Sequence, residues 1–145
     1  MNLRRLVALL LLGLTLAACA EREDDYTPVL PPLPPEIQQR AAAGDAAAQF
    51  ALAEYHRSDD DPTVMLRWLR ESARQGYPLA QTSLGVLYGA GDGVPEDRLE
   101  ACYWLMRAAA QGEPDAMAMV AEARARLSPE ERELVQQALS SADSR

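Results

Sequence analysis

Apolar and small residues recur along this chain at helical spacing. Ala80, Leu84, Gly85 and Tyr88 fall on one stripe of a helix, with small side chains where a neighbouring backbone must approach. Gly89-Ala90-Gly91-Asp92-Gly93-Val94-Pro95 interrupts the pattern, and Glu96 to Gln111 resumes it as a second helix. Gly112 then suits the left-handed position that follows a helix end, so the segment predicts a helical hairpin. From Glu36 onward the remaining chain also reads as helices separated by Gly, Pro and Asp. Asp61 before Pro62 reads as a helix N-cap, and Ser128-Pro129-Glu130-Glu131 as a capping box that opens the last helix.

The hairpin pattern repeats. Gly44-Asp45-Ala46-Ala47-Ala48, Gly76-Tyr77-Pro78-Leu79-Ala80 and Gly112-Glu113-Pro114-Asp115-Ala116 each place Ala four residues after Gly, at intervals of 32 and 36 residues. Trp68 and Trp104 each precede their glycine by eight residues, which predicts that Trp104 is a buried contact of the repeat. A period of this length means stacked helix pairs, here about 44–75, 76–111 and a partial unit 112–141 within a domain over 35–145. Alanine supplies 26 of 145 residues against one Phe, two Trp and five Tyr, a composition suited to close-packed helices. The fold class expected is all-α.

The chain begins differently. Arg4 and Arg5 precede an apolar run from Leu6 to Leu16, a secretory-leader pattern over residues 1–18. That run is shorter than the roughly 20 residues a helix needs to span a bilayer. Residues 19–34 carry an acidic run and then Pro28, Pro31, Pro32 and Pro34, which reads as a tether reaching on the order of 40 Å at about 3.1 Å per residue. Val29, Leu30 and Leu33 either dock on the domain or a partner, or are scattered linker residues.

Charge and residue usage then remove whole chemistries. All 14 basic residues are Arg, and the absence of Lys excludes lysine Schiff bases, a Ser-Lys pair and the P-loop lysine. A net charge of −8 repels phosphate backbones, so no nucleic-acid partner is expected. Gly89 to Gly93 follows no strand pattern and is no phosphate loop, and Asp59-Asp60-Asp61 lacks the ligand spacing of a calcium loop. His56, the one histidine, reads as a packed or capping imidazole, and Cys102 either as a small buried helix residue or as a reactive thiol. No catalytic residue, metal or cofactor is expected. What remains is surface. A residue two positions from the Leu84 slot points about 200° away from it, which selects Phe50, Glu54, Thr82, Val86, Ala118 and Glu122. Phe50 and Val86 are the apolar anchors, with Glu54 and Glu122 flanking; the alternative for Phe50 is burial beneath the amino-terminal helix.

Ala80-Gln81, Leu84-Gly85, Tyr88, Gly91-Asp92-Gly93-Val94, Asp97, Ala101, Trp104, Ala108-Ala109 and Gly112 resemble a Sel-one-like repeat (SLR), a relative of the tetratricopeptide repeat. The resemblance extends over about residues 36–141 and implies a short right-handed α-solenoid of antiparallel helix pairs that holds other proteins. Leu16-Ala17-Ala18-Cys19 is similar to the lipobox of bacterial lipoproteins, which implies a diacylglycerol on Cys19 as the new N-terminus. With Ala20 next, similarity to Gram-negative lipoproteins implies the periplasmic face of the outer membrane. The function expected is a non-enzymatic lipoprotein whose solenoid binds a protein or peptide and recruits it to the membrane surface, as a scaffold or adaptor of an envelope complex. The alternative is a cell-wall-acting or penicillin-binding hydrolase, an activity linked with cysteine-rich relatives whose disulfide-forming cysteines this chain lacks.

Overall fold

Nearly every glycine and proline signal opens or closes a helix. The computed structural model describes residues 32–58 and 61–143; the expected leader, Cys19, most of the tether and the Asp59-Asp60 pair lie outside the described residues. Among the described residues there are seven α-helices and no strand: α1 (Pro35–Ala42), α2 (Ala46–Tyr55), α3 (Thr63–Arg74), α4 (Pro78–Ala90), α5 (Arg98–Ala110), α6 (Pro114–Ala125) and α7 (Pro129–Asp143), with a 3₁₀ turn at His56–Ser58. None is long and apolar enough to cross a membrane.

Local chemistry sets these boundaries. Asp45 Oδ1 accepts from the Ala48 amide at 3.0 Å and caps α2. Asp97 Oδ1 accepts from the amides of Leu99 and Glu100 at 2.9 and 3.0 Å, so α5 opens at Arg98, two residues after the Glu96 expected from spacing. Ser128 and Glu131 cap one another reciprocally, at 3.2 and 2.7 Å, as the sequence predicts. Asp61 differs from expectation. Its Oδ1 accepts from the Thr63 amide at 2.9 Å, but Pro62 holds the N-cap position and the helix starts one residue later. Gly91, at φ 70°, and Gly112, at φ 82°, supply the left-handed turns after α4 and α5.

Packing follows the repeat through two full units. Helices α2 and α3 form one hairpin and α4 and α5 the next, while α1 packs on α2, α3 on α4 and α5 on α6. Leu69, Leu84, Ala53, Ala73 and Ala80 are fully buried where the hairpins meet. Leu33 and Ile37 pack on Ala41, Ala48 and Leu52, so the tether's last leucine docks on the domain. One expectation is corrected. Trp104 is half-buried: its Nε1 donates to Glu100 Oε2 at 2.7 Å and Arg107 lies 5.8 Å from its ring centre, because one edge of the indole faces water and charge. Over 112–141 a single repeat helix, α6, is followed by the terminal helix α7. Val135 and Leu139 of α7 pack with Cys102, Tyr103 and Met106 of α5, while α7 meets the last turn of α6, where Arg132 Nε donates to the Arg124 carbonyl at 2.9 Å.

Pairs of glutamines join adjacent units. Gln49 Nε2 donates to the Ala41 carbonyl at 3.1 Å and Gln49 Oε1 accepts from Gln75 Nε2 at 2.6 Å. The next unit repeats this at Gln81, which donates to the Ala73 carbonyl at 3.1 Å and accepts from Gln111 at 2.8 Å. Each buried amide thereby satisfies its polar atoms while tying a first helix to the second helices on either side.

Candidate partner-binding groove

The repeat places α2, α4 and α6 in equivalent positions, as first helices of successive units. Their outward residues line a groove of about 210 Å³ that includes Phe50, Leu79, Thr82, Val86 and Met119, with Arg57 and Asp115 at its edge. A second cleft of about 140 Å³ adjoins it, sharing Val86 and Met119 and adding Glu122, Arg98 and Arg126. Leu79, Val86 and Met119 are all large apolar side chains left exposed, Val86 to 43%. Scattered exposed apolar residues are ordinary, but three along one groove are a contiguous patch.

Four of the six residues selected by helical angle converge on one face, whereas Ala118 is exposed and lines neither cleft. Phe50, Thr82 and Val86 meet in the larger groove, and Val86 and Glu122 in the adjoining cleft. Glu54 stands at the rim in an ion pair with Arg57, which itself lines the groove. Thr82 and Phe50 differ from a free contact surface. Thr82 is only 8% exposed, because its hydroxyl lies 2.8 Å from Glu113 Oε2 and 3.1 Å from the Pro78 carbonyl. It forms the groove's floor. Phe50 is half-buried, but against the Tyr77 ring at 5.3 Å and not beneath the amino-terminal helix.

Glu113 explains why Thr82 is held. Its Oε2 also accepts from the Ala116 amide at 2.7 Å, making Glu113 the N-cap of α6 and a bridge from α6 to α4. Burial works against its charge, but the amides of Ala116 and Asp115 and the Thr82 hydroxyl outweigh it and hold the carboxyl below its ordinary pKa. The groove thus has a rigid polar floor beneath an apolar rim. Other possible centres of chemistry have structural roles. His56 packs edge-on against Tyr55 at 5.3 Å, and Cys102 is buried beside Leu127 and Val135, where desolvation pushes its thiol pKa up. No cluster of three or more metal-ligating side chains occurs among the described residues.

Sequence reasoning missed Leu79 and Met119. The angular rule followed the row two positions from Leu84, whereas the groove is also lined by the adjacent row that contains Leu79 and Ser83. Met119 lies 36 residues after Ser83, so the repeat interval carried the signal.

The Sel1 repeat family model matches residues 46–63, 66–77 and 78–113. The crystal structure of a Sel1 repeat protein from Oxalobacter formigenes is similar at 28% sequence identity and a TM-score of 0.57, over 70% of this chain and 96% of that one. No curated protein matches the chain. Sel1 repeats generally mediate protein–protein interaction.

Proposed function

Because this chain is a Sel1 repeat protein, we propose that the groove across α2, α4 and α6 holds a protein or peptide partner and that acylated Cys19 keeps the complex at a membrane surface. The observation that carries the reading is the apolar row of Leu79, Val86 and Met119 above the Thr82–Glu113 floor. A partner that buries such a row gains about 25 cal/mol per Å² of apolar area, and a preformed floor limits the ordering cost. Leu16-Ala17-Ala18-Cys19 supports lipid attachment, and Ala20 supports the outer membrane of a Gram-negative envelope, with the domain on the periplasmic side. The domain acts there as a non-enzymatic adaptor.

The test replaces Val86 and Met119 together with Asp in the chain carrying its own leader. Both side chains are exposed, so helicity and melting temperature should stay near wild type. Partner recovery after crosslinking in the intact envelope should be lost. Unchanged recovery by the folded variant refutes the groove as the binding site.

A further inference from the structure

We propose that α6 carries a second docking surface, distinct from the groove, which takes an amphipathic helix from a partner protein and so completes the third repeat in trans. In the second unit, α5 covers α4 along Gln81, Gly85 and Gly89. Gln111 donates to Gln81, a Cβ added at Gly85 would lie 2.6 Å from Leu105 Cγ, and one at Gly89 would lie 3.6 Å from the Ala101 Cβ. In the first unit α3 covers Gln49 and Ala53 in the same way, and both are buried. Thirty-six residues on from Gln81, Gly85 and Gly89 stand Met117, Ala121 and Ala125, and all three are exposed, Met117 to 57%. The helix that should cover them is α7, which lies on α5 instead and reaches α6 through Arg132, on the Arg124 carbonyl.

The two ends of the solenoid are built differently, and this separates an open interface from an ordinary end. A terminal repeat normally presents a polar outer face. The amino-terminal end does so: at the slot where Ser72 and Ala108 are fully buried, α1 carries Arg40, held outward on Asp45 at 2.6 Å. At the carboxy-terminal end the slots that hold Gln81, Gly85 and Gly89 in the unit before are filled by Met117, Ala121 and Ala125, all uncharged and all in solvent. Arg40 also argues against a second copy as the occupant, since it blocks the face that a head-to-tail neighbour would bring.

The occupant's chemistry follows from the helices that cover the two preceding units. Both place Leu, at Leu69 and Leu105, four residues after a residue that packs on the first helix, at Met65 and Ala101, and three before a small one, at Ser72 and Ala108. The partner helix carries that spacing, with an apolar residue in place of Gln75 or Gln111 because Met117 offers no amide.

The probe is a synthetic peptide of residues 62–76, the chain's own covering helix, with Gln75→Leu, titrated into the full chain with labelled methionine and alanine methyls. Saturable shifts are expected at Met117 and Ala121, with Met119 in the groove unmoved, and Ala121→Arg or Met117→Glu should weaken binding about tenfold or more. Both variants sit on solvent-facing helix positions, and circular dichroism checks that each remains folded. Shifts centred on Met119 and Val86, no shift at millimolar peptide, or Met117 shifts that follow chain concentration without peptide would each overturn the proposal. Because Met117 and Met119 report separately, failure here is distinguishable from failure of the groove.

Discussion

Gly85→Ala should destabilise the protein, although glycine to alanine inside a helix ordinarily stabilises it by about 1 kcal/mol. Gly85 lies inside α4 and faces α5, and a Cβ there would stand 2.6 Å from Leu105 Cγ, 3.0 Å from Leu105 Cδ2 and 3.1 Å from the Ala101 carbonyl oxygen. Carbon atoms rest at about 3.5–4.0 Å, so Leu105 must retreat by roughly 1 Å, and the Ala101 backbone blocks escape on the other side. Overpacking of this kind costs about 1–3 kcal/mol, which leaves a net loss of up to about 2 kcal/mol after the helical gain. For a domain of this size each kcal/mol lowers the melting temperature by roughly 4 °C, so it should fall by up to about 8 °C. Urea titration at constant m-value gives the free energy, and a double-mutant cycle with Leu105→Ala identifies the cause. In the Leu105→Ala background the same substitution should become stabilising. A rise in melting temperature for Gly85→Ala alone would refute the close approach of α4 and α5.

Trp104→Ala should cost about 2 kcal/mol in thermal unfolding, below the roughly 3–5 of a fully buried aromatic, because one edge of the indole is already in water. A loss at the top of that range would mean that the ring is enclosed. Glu113→Gln should lower stability at neutral pH, and the difference from wild type should vanish in acid: the carboxyl's depressed folded pKa contributes stability above the ordinary glutamate range and loses it as pH falls through the depressed value. Denaturation at pH 7 and pH 3 checks the sign. Cys19→Ser should leave the precursor unprocessed or release a soluble product, and intact-mass measurement of a mature N-terminus elsewhere without lipid would disprove the anchor.

Periodicity carried most of the fold into view. The interval between Gly76 and Gly112, the Ala80-Leu84 stripe and the Ser128 capping box each mark a local rule that tertiary structure leaves unchanged. Side-chain direction was legible to the same extent, since helical angle alone gathers Phe50, Thr82 and Val86 on one face. Depth was not. Thr82 and Val86 are four residues apart on one helix, yet Thr82 is buried by a carboxylate 31 residues away that no local pattern announces. The placement of α7 was equally hidden. Its sequence shows where the helix starts but not that Val135 and Leu139 select α5 over α6. Glutamines gave no warning either, because polar residues at repeat positions read as surface until their partners, Ala41 and Ala73, are seen in space.

The seating of α7 chiefly on α5 turns Cys102 into a clock. The thiol is 1% exposed and lies under Val135 and Leu127, so a labelling reagent reaches it only when α7 lifts. Lifting α7 breaks its contacts with α5 while leaving both glutamine-linked hairpins closed, so it is an opening cheaper than global unfolding. When reclosing outpaces labelling, the observed labelling rate divided by that of a free thiol is the fraction of time α7 spends open. Its denaturant dependence then measures the surface that opening exposes.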